Sequence, residues 1–177
     1  MKNILTLCYV AVFFVCISCN ENKAEDKSKR PSPPASSEVT LASGASVKID
    51  YGQPSLKSRV VGLSIEPMNN KIWRAGANEA TTFDINKNVL INGSALTAGK
   101  YAFFVWQKDS MATLIFNKEW DTWGAFDYEK NKSKDVLKID VPVLKDSTST
   151  EKLMFNIDST GLTTVNWGTW KIAFTIQ

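Results

Sequence analysis

Period-two alternation of apolar and polar residues constrains this chain more than any other feature. Val47, Ile49 and Tyr51 alternate with Lys48 and Asp50, and Leu137, Ile139, Val141 and Val143 with Lys138, Asp140 and Pro142. Leu153, Phe155 and Ile157 repeat the pattern, as do Trp170, Ile172, Phe174 and Ile176. Successive side chains of a strand point to opposite faces, so the pattern lays one face on a core and the other in water. Asn92-Gly93, between Val89-Leu90-Ile91 and Ser94-Ala95-Leu96, marks a type I′ hairpin, whose two central residues need positive φ. Residues 101–106 are almost wholly apolar and are expected at the centre of a sheet; Lys108-Asp109-Ser110 then turns the chain into residues 112–116. No amphipathic helix of ten residues and no internal repeat is visible. The expectation is an all-β domain over residues 39–177, a β-sandwich of about nine strands with a jelly roll as one form.

Two stretches break the alternation. Residues 52–68 carry Pro54 and Pro67 and read as loop or sheet edge. Residues 117–134 gather Trp120, Trp123, Phe126 and Tyr128 among charged side chains around Gly124. A loop so aromatic is either folded back onto the sheet or displayed to a ligand.

The N-terminus reads as an address. Lys2 precedes an apolar run from Ile4 to Ile17, shorter than the roughly 20 residues that span a bilayer but suited to a signal-peptide core over residues 1–18. The run ends Cys16-Ile17-Ser18-Cys19, similar to a bacterial lipobox, with Cys16 where leucine is usual. Acylation of Cys19 would anchor the chain, each buried CH₂ contributing about 0.8 kcal/mol. An ordinary secretory signal cut nearby is the alternative. From Cys19 to Glu38 the sequence has no aromatic or large aliphatic residue and carries Pro31, Pro33 and Pro34, so it reads as a flexible polar tether. The expected location is the cell envelope, membrane-anchored, at the periplasmic face or cell surface.

Composition excludes several chemistries. The 177 residues contain no histidine, which removes Ser-His-Asp and Cys-His catalysis and the usual zinc sites. All three cysteines, Cys8, Cys16 and Cys19, lie in the leader, so the body has no disulfide and no thiol. No metal or cofactor is implied. A net charge of +3, with lysines dispersed among acids, gives no cationic stripe for nucleic acid. Asp84-x-Asn86-x-Asn88 opens like a calcium loop, but Val89 stands where glycine is needed and Ala95 where glutamate is. Ser149-x-x-Lys152 lacks the partner motifs of serine-lysine acyl enzymes.

The densest chemistry lies at Trp73-Arg74-Ala75-Gly76-Ala77-Asn78-Glu79. Arg74 offers a planar fork of donors for a carboxylate or for sugar hydroxyls, and Trp73 a stacking face. With Asn78, Glu79 and the loop aromatics Trp120, Trp123 and Tyr128, these residues make a candidate ligand site. The competing reading is a tight corner, in which Gly76 supplies an unusual φ, Asn78 bonds the backbone and Arg74 pairs with Glu79 or another acid. Trp106, Trp167 and Trp170 sit in strand-like runs and are expected in the core.

Several strings resemble the domain of unknown function 2911 family: Tyr51-x-x-Pro54-Ser55-x-Lys57-x-Arg59, Trp73-Arg74-x-Gly76-Ala77-Asn78-Glu79-Ala80-Thr81, Ala98-Gly99-x-Tyr101, Ile115-Phe116-Asn117-Lys118, and Trp123-Gly124 with Tyr128. The resemblance runs from about Ala45 to the C-terminus. It implies a β-rich bacterial envelope protein and carries no assigned activity, hence no catalytic residue to transfer. Ala75 and Gly52 stand where the family commonly has threonine and serine.

Together these readings point to a binding or accessory module for a glycan or other envelope component. The alternatives are a His-free, glycosidase-like hydrolase and a structural protein-interaction module. The hydrolase would draw two facing acids from Glu79, Glu119, Asp121, Asp127 and Glu129, one with a raised pKa.

Overall fold

A computed structural model describes residues 25–177 and is all-β. The signal segment 1–18 and Cys19 lie outside the described residues. Among those described, no helix is long and apolar enough to cross a membrane.

The larger sheet is antiparallel and runs β1 (Pro34–Thr40), β2 (Ser46–Gly52), β4 (Thr81–Ile85), β7 (Gly99–Lys108), β8 (Met111–Asn117) and β9 (Asp135–Pro142). The short β3 (Ile72–Trp73) also pairs with β7. β7 is central, as its apolar run requires, and β7, β8 and β9 form a meander simpler than the paired Greek keys of a jelly roll. Opposite lies the long hairpin of β10 (Leu144–Ile157) and β11 (Leu162–Thr175). The hairpin of β5 (Val89–Ile91) and β6 (Ser94–Leu96) extends this second layer, because the Leu90 and Gln177 amides each donate to the other's carbonyl, at 2.7 and 2.9 Å. Asn92 and Gly93 take φ of 46° and 82°, the double left-handed turn the Asn-Gly pair demands. Asn86 and Asn88, the false calcium motif, accept from the amides of Ser46 and Ala98 at 2.7 and 2.9 Å and so fasten turns.

The core lies between the layers. Phe83, Phe103 and Phe116 from the large sheet meet Phe155 and Phe174 from the hairpin, with Phe103 stacked on Phe174 at 6.0 Å. The outer face of the large sheet is covered too. Phe104, Ile115, Ala102 and Ala80 pack with Tyr128 of the one-turn helix α1 (Tyr128–Asn131). The aromatic loop therefore folds back, through Tyr128, onto a sheet face rather than over the open end of the sandwich.

Two sequence expectations need correction. The tether does not extend to Glu38: Pro34–Thr40 is strand β1, paired residue for residue with β2. Its inward positions are Ala35, Ser37 and Val39, too small and polar for the alternation to register; Ser37 instead donates to the Phe155 carbonyl. Proline at a strand's first position gives up no ladder donor. Trp106 is likewise not core, because its place on β7 turns it to the outer face, where it is exposed.

Candidate functional site

The chemically dense corner is an excursion from a broken strand. Trp73 of β3 lies opposite Val105 and Thr81 of β4 opposite Phe103, so seven residues bulge out while β7 advances by two. Its neck is closed by the Thr81 amide donating to the Arg74 carbonyl at 3.2 Å and the buried Thr81 hydroxyl to the Ala75 carbonyl at 3.0 Å. Ala75 and Asn78 hold the positive φ values, 54° and 64°, rather than Gly76. Gly76 is needed for space: an added Cβ would lie 2.9 Å from Thr81 Oγ1 and 3.1 Å from the Gly52 carbonyl.

This geometry divides the expected site. Trp73 is only 3 % exposed, stacks on Trp167 at 5.9 Å with rings inclined by 14°, and donates Nε1–H to the Gly76 carbonyl at 3.1 Å. It is core, not a platform. Tyr128 is 7 % exposed, packs edge-on against Phe104 and donates to Asp135 Oδ2 at 2.7 Å; burial first, then that carboxylate, push its pKa up. It too is structural. An apolar neighbourhood claims both rings because each lies on a strand-facing side of its segment.

Arg74 does not pair with Glu79. Glu79 accepts both oxygens' worth of contact from Arg30 Nη1, at 3.0 and 2.8 Å, and a further bond from Lys27 Nζ at 2.8 Å. Burial pushes the Glu79 pKa up, but the bonds from Lys27, its own backbone amide and Arg30 prevail and bring it to about 2. Arg30, its side chain 11 % exposed, also binds Glu25 through Nε and Nη2 at 2.8 and 2.5 Å, and lies 5.5 Å from the Trp123 ring centroid. Bonds from Glu25 and Glu79 raise its pKa. Asn78 Nδ2 donates to the Ser32 carbonyl at 2.9 Å. Residues 25–33 are thus clamped against the corner. The sequence offered no signal for this, since Lys27 and Arg30 read as members of a solvated charge run.

A cleft of about 460 Å³ opens beside the clamp, lined among others by Asp50, Asn78, Glu79, Lys100, Trp120 and Asp121. Trp120 is 41 % exposed, and Lys100 Nζ stands 4.4 Å from its ring centroid. The aromatic loop reaches the cleft through main-chain pairing: the Ala80 amide donates to Thr122 at 3.0 Å, and Glu79 bridges Trp123. Trp123 is 55 % exposed but stands outside this cleft, as does Arg74. Arg74 lines a neighbouring pocket with Phe126, and burial lowers its pKa against the opposing pull of Glu66. Among the described residues no cluster of three acids or thiols forms a metal site.

A family model described as "Protein of unknown function (DUF2911)" matches residues 32–176 of the chain. No curated protein and no solved structure matches it.

Proposed function

Since the chain belongs to the DUF2911 family of proteins of unknown function, we propose from its geometry that it is a binding module of the bacterial cell envelope, anchored through acylated Cys19, whose cleft takes a hydroxyl-rich ligand such as a glycan. The observation that carries this reading is Trp120. Its indole stands partly exposed in the wall of a cleft whose polar groups include Asp50, Asn78, Glu79, Lys100 and Asp121. Sugars bury their C–H faces on aromatic rings and direct their hydroxyls to amides and carboxylates, and this lining supplies both. Thr122, also at the cleft, has a buried hydroxyl with no partner among the described residues.

The hydrolase reading gains nothing from Glu79. A general acid needs a carboxyl held protonated near neutrality, whereas Glu79 is drawn down to about 2 by the cations on it. The test is a glycan array probed with the full chain and with Trp120→Ala. Retention of a glycan that Trp120→Ala weakens at least about tenfold supports the reading, in line with one lost stacking platform. No retained glycan, or one indifferent to Trp120, overturns it.

A further inference from the structure

The pocket beside Arg74 is lined differently from the Trp120 cleft. Its volume is about 480 Å³, and its lining includes Arg59, Ile65, Glu66, Arg74, Phe126 and Trp167. Two donors on these residues, Arg74 Nε and Trp167 Nε1, are buried and have no hydrogen-bond partner among the described residues. Trp167 is 1 % exposed, and buried polar groups of this kind are almost always paired. The two neighbouring core indoles obey that rule: Trp73 donates to Gly76 at 3.1 Å and Trp170 to Gln107 at 2.7 Å.

Charge points the same way as the donors. Arg74 makes no ion pair or hydrogen bond with another described side chain, and Glu66 spends one carboxylate oxygen on the Met68 amide at 2.7 Å. Arg59 donates to the Leu56 and Ser55 carbonyls at 2.9 and 2.7 Å, which fixes it without neutralising it. Two guanidiniums therefore face one carboxylate. The site is also held rigid. Trp167 is stacked on Trp73, and Gly124, at φ 72°, makes room for Arg74: an added Cβ there would sit 2.6 Å from Nη1.

We propose that this pocket is a second binding site, independent of the glycan reading, that takes a small organic acid, its carboxylate meeting Arg74 and the Trp167 N–H and its apolar body lying on Ile65 and Phe126. An acceptor-rich anion answers both unpartnered donors and the surplus positive charge. The apolar side chains of Ile65 and Phe126 in the lining favour a carboxylate carrying hydrocarbon over an inorganic oxyanion.

The test is a titration of the ¹⁵N-labelled full chain with benzoate and, separately, with inorganic phosphate, followed at the Arg74 Nε–H and Trp indole resonances. Benzoate is expected to shift Arg74 Nε–H and Trp167 Nε1–H saturably while leaving Trp120 unmoved, with phosphate weaker. Arg74→Lys keeps the charge but loses the planar fork, and should weaken benzoate about tenfold; Trp167→Phe removes the N–H together with part of the indole ring and should weaken it severalfold. The proposal is overturned if neither resonance moves at about 10 mM benzoate, above the roughly millimolar affinity expected of so small a ligand. Movement of Trp120 instead, phosphate binding more tightly than benzoate, or undiminished binding by Arg74→Lys would also overturn it. Should a variant fail to fold, the titration of the unmodified chain decides.

Discussion

Glu79→Gln tests the clamp on the N-terminal segment. The carboxyl falls from an ordinary 4.5 to about 2 in the folded chain. At about 1.4 kcal/mol per tenfold change in proton affinity, that fall sets a ceiling of roughly 3 kcal/mol on the stabilisation. Glu79 is 43 % exposed, however, and solvent screens much of it. Exposed pairs contribute about 0.2–1 kcal/mol each, so two cations on one carboxylate are expected to total about 1 kcal/mol. A depressed folded-state pKa means the contribution is present above pH 4.5 and is lost as pH falls towards 2. Urea denaturation of both proteins from pH 7 to pH 2.5 should therefore show a gap of about 1 kcal/mol that closes below pH 4. Amide exchange at residues 27–33 should quicken in the variant at pH 7. A gap that persists unchanged to pH 2.5, or none at pH 7, refutes the reasoning.

Three further outcomes are expected. Trp73→Ala should cost about 3–5 kcal/mol and lower the thermal midpoint sharply, as for a core indole; a full-strength fold with lost ligand would return Trp73 to the binding surface. Gly161→Ala should cost roughly 3 kcal/mol, because its φ is 85° and the new Cβ would lie 1.7 Å from the Ile176 carbonyl oxygen; denaturation midpoints measure it. Cys19→Ser should move the protein from the membrane to the soluble fraction on cell fractionation, and continued membrane association would defeat the lipobox assignment.

The alternation exposed the strands whose inward residues are large. β2, β9, β10 and β11 could be read because Val47, Ile139, Phe155 and Ile172 recur every second residue, and β5–β6 because Asn92-Gly93 permits little else. β1 stayed hidden because Ala35 and Ser37 carry almost no hydrophobic signal; backbone pairing with β2 holds it in place. The candidate site was legible as a neighbourhood but not as a set of partners. Arg74, Asn78, Glu79 and the aromatic loop do come together, yet Glu79 chose Arg30 over Arg74 because the N-terminal segment returns across the corner, a long-range event no local spacing encodes. Trp167 read as core, which it is, while an N–H left without a partner among the described residues is a matter of tertiary packing that no spacing reports. The loop aromatics could not be sorted by sequence either: Tyr128 opens a one-turn helix that packs on the sheet, while Trp120 and Trp123 lie before it, in the stretch that pairs through Thr122 and Trp123 with Ala80 and Glu79.

The clamp at Glu79 changes how far the body can stand from a bilayer. Were the chain free up to Val39, an extended leash from Cys19 would span about 70 Å, enough to cross much of a periplasm-like gap. With Glu25 already fastened through Arg30, only six peptide steps separate the two, about 20 Å at full stretch. A lipidated Cys19 would then hold the Lys27 rim of the cleft within a few tens of ångströms of the headgroups, about 20 Å of it the tether itself.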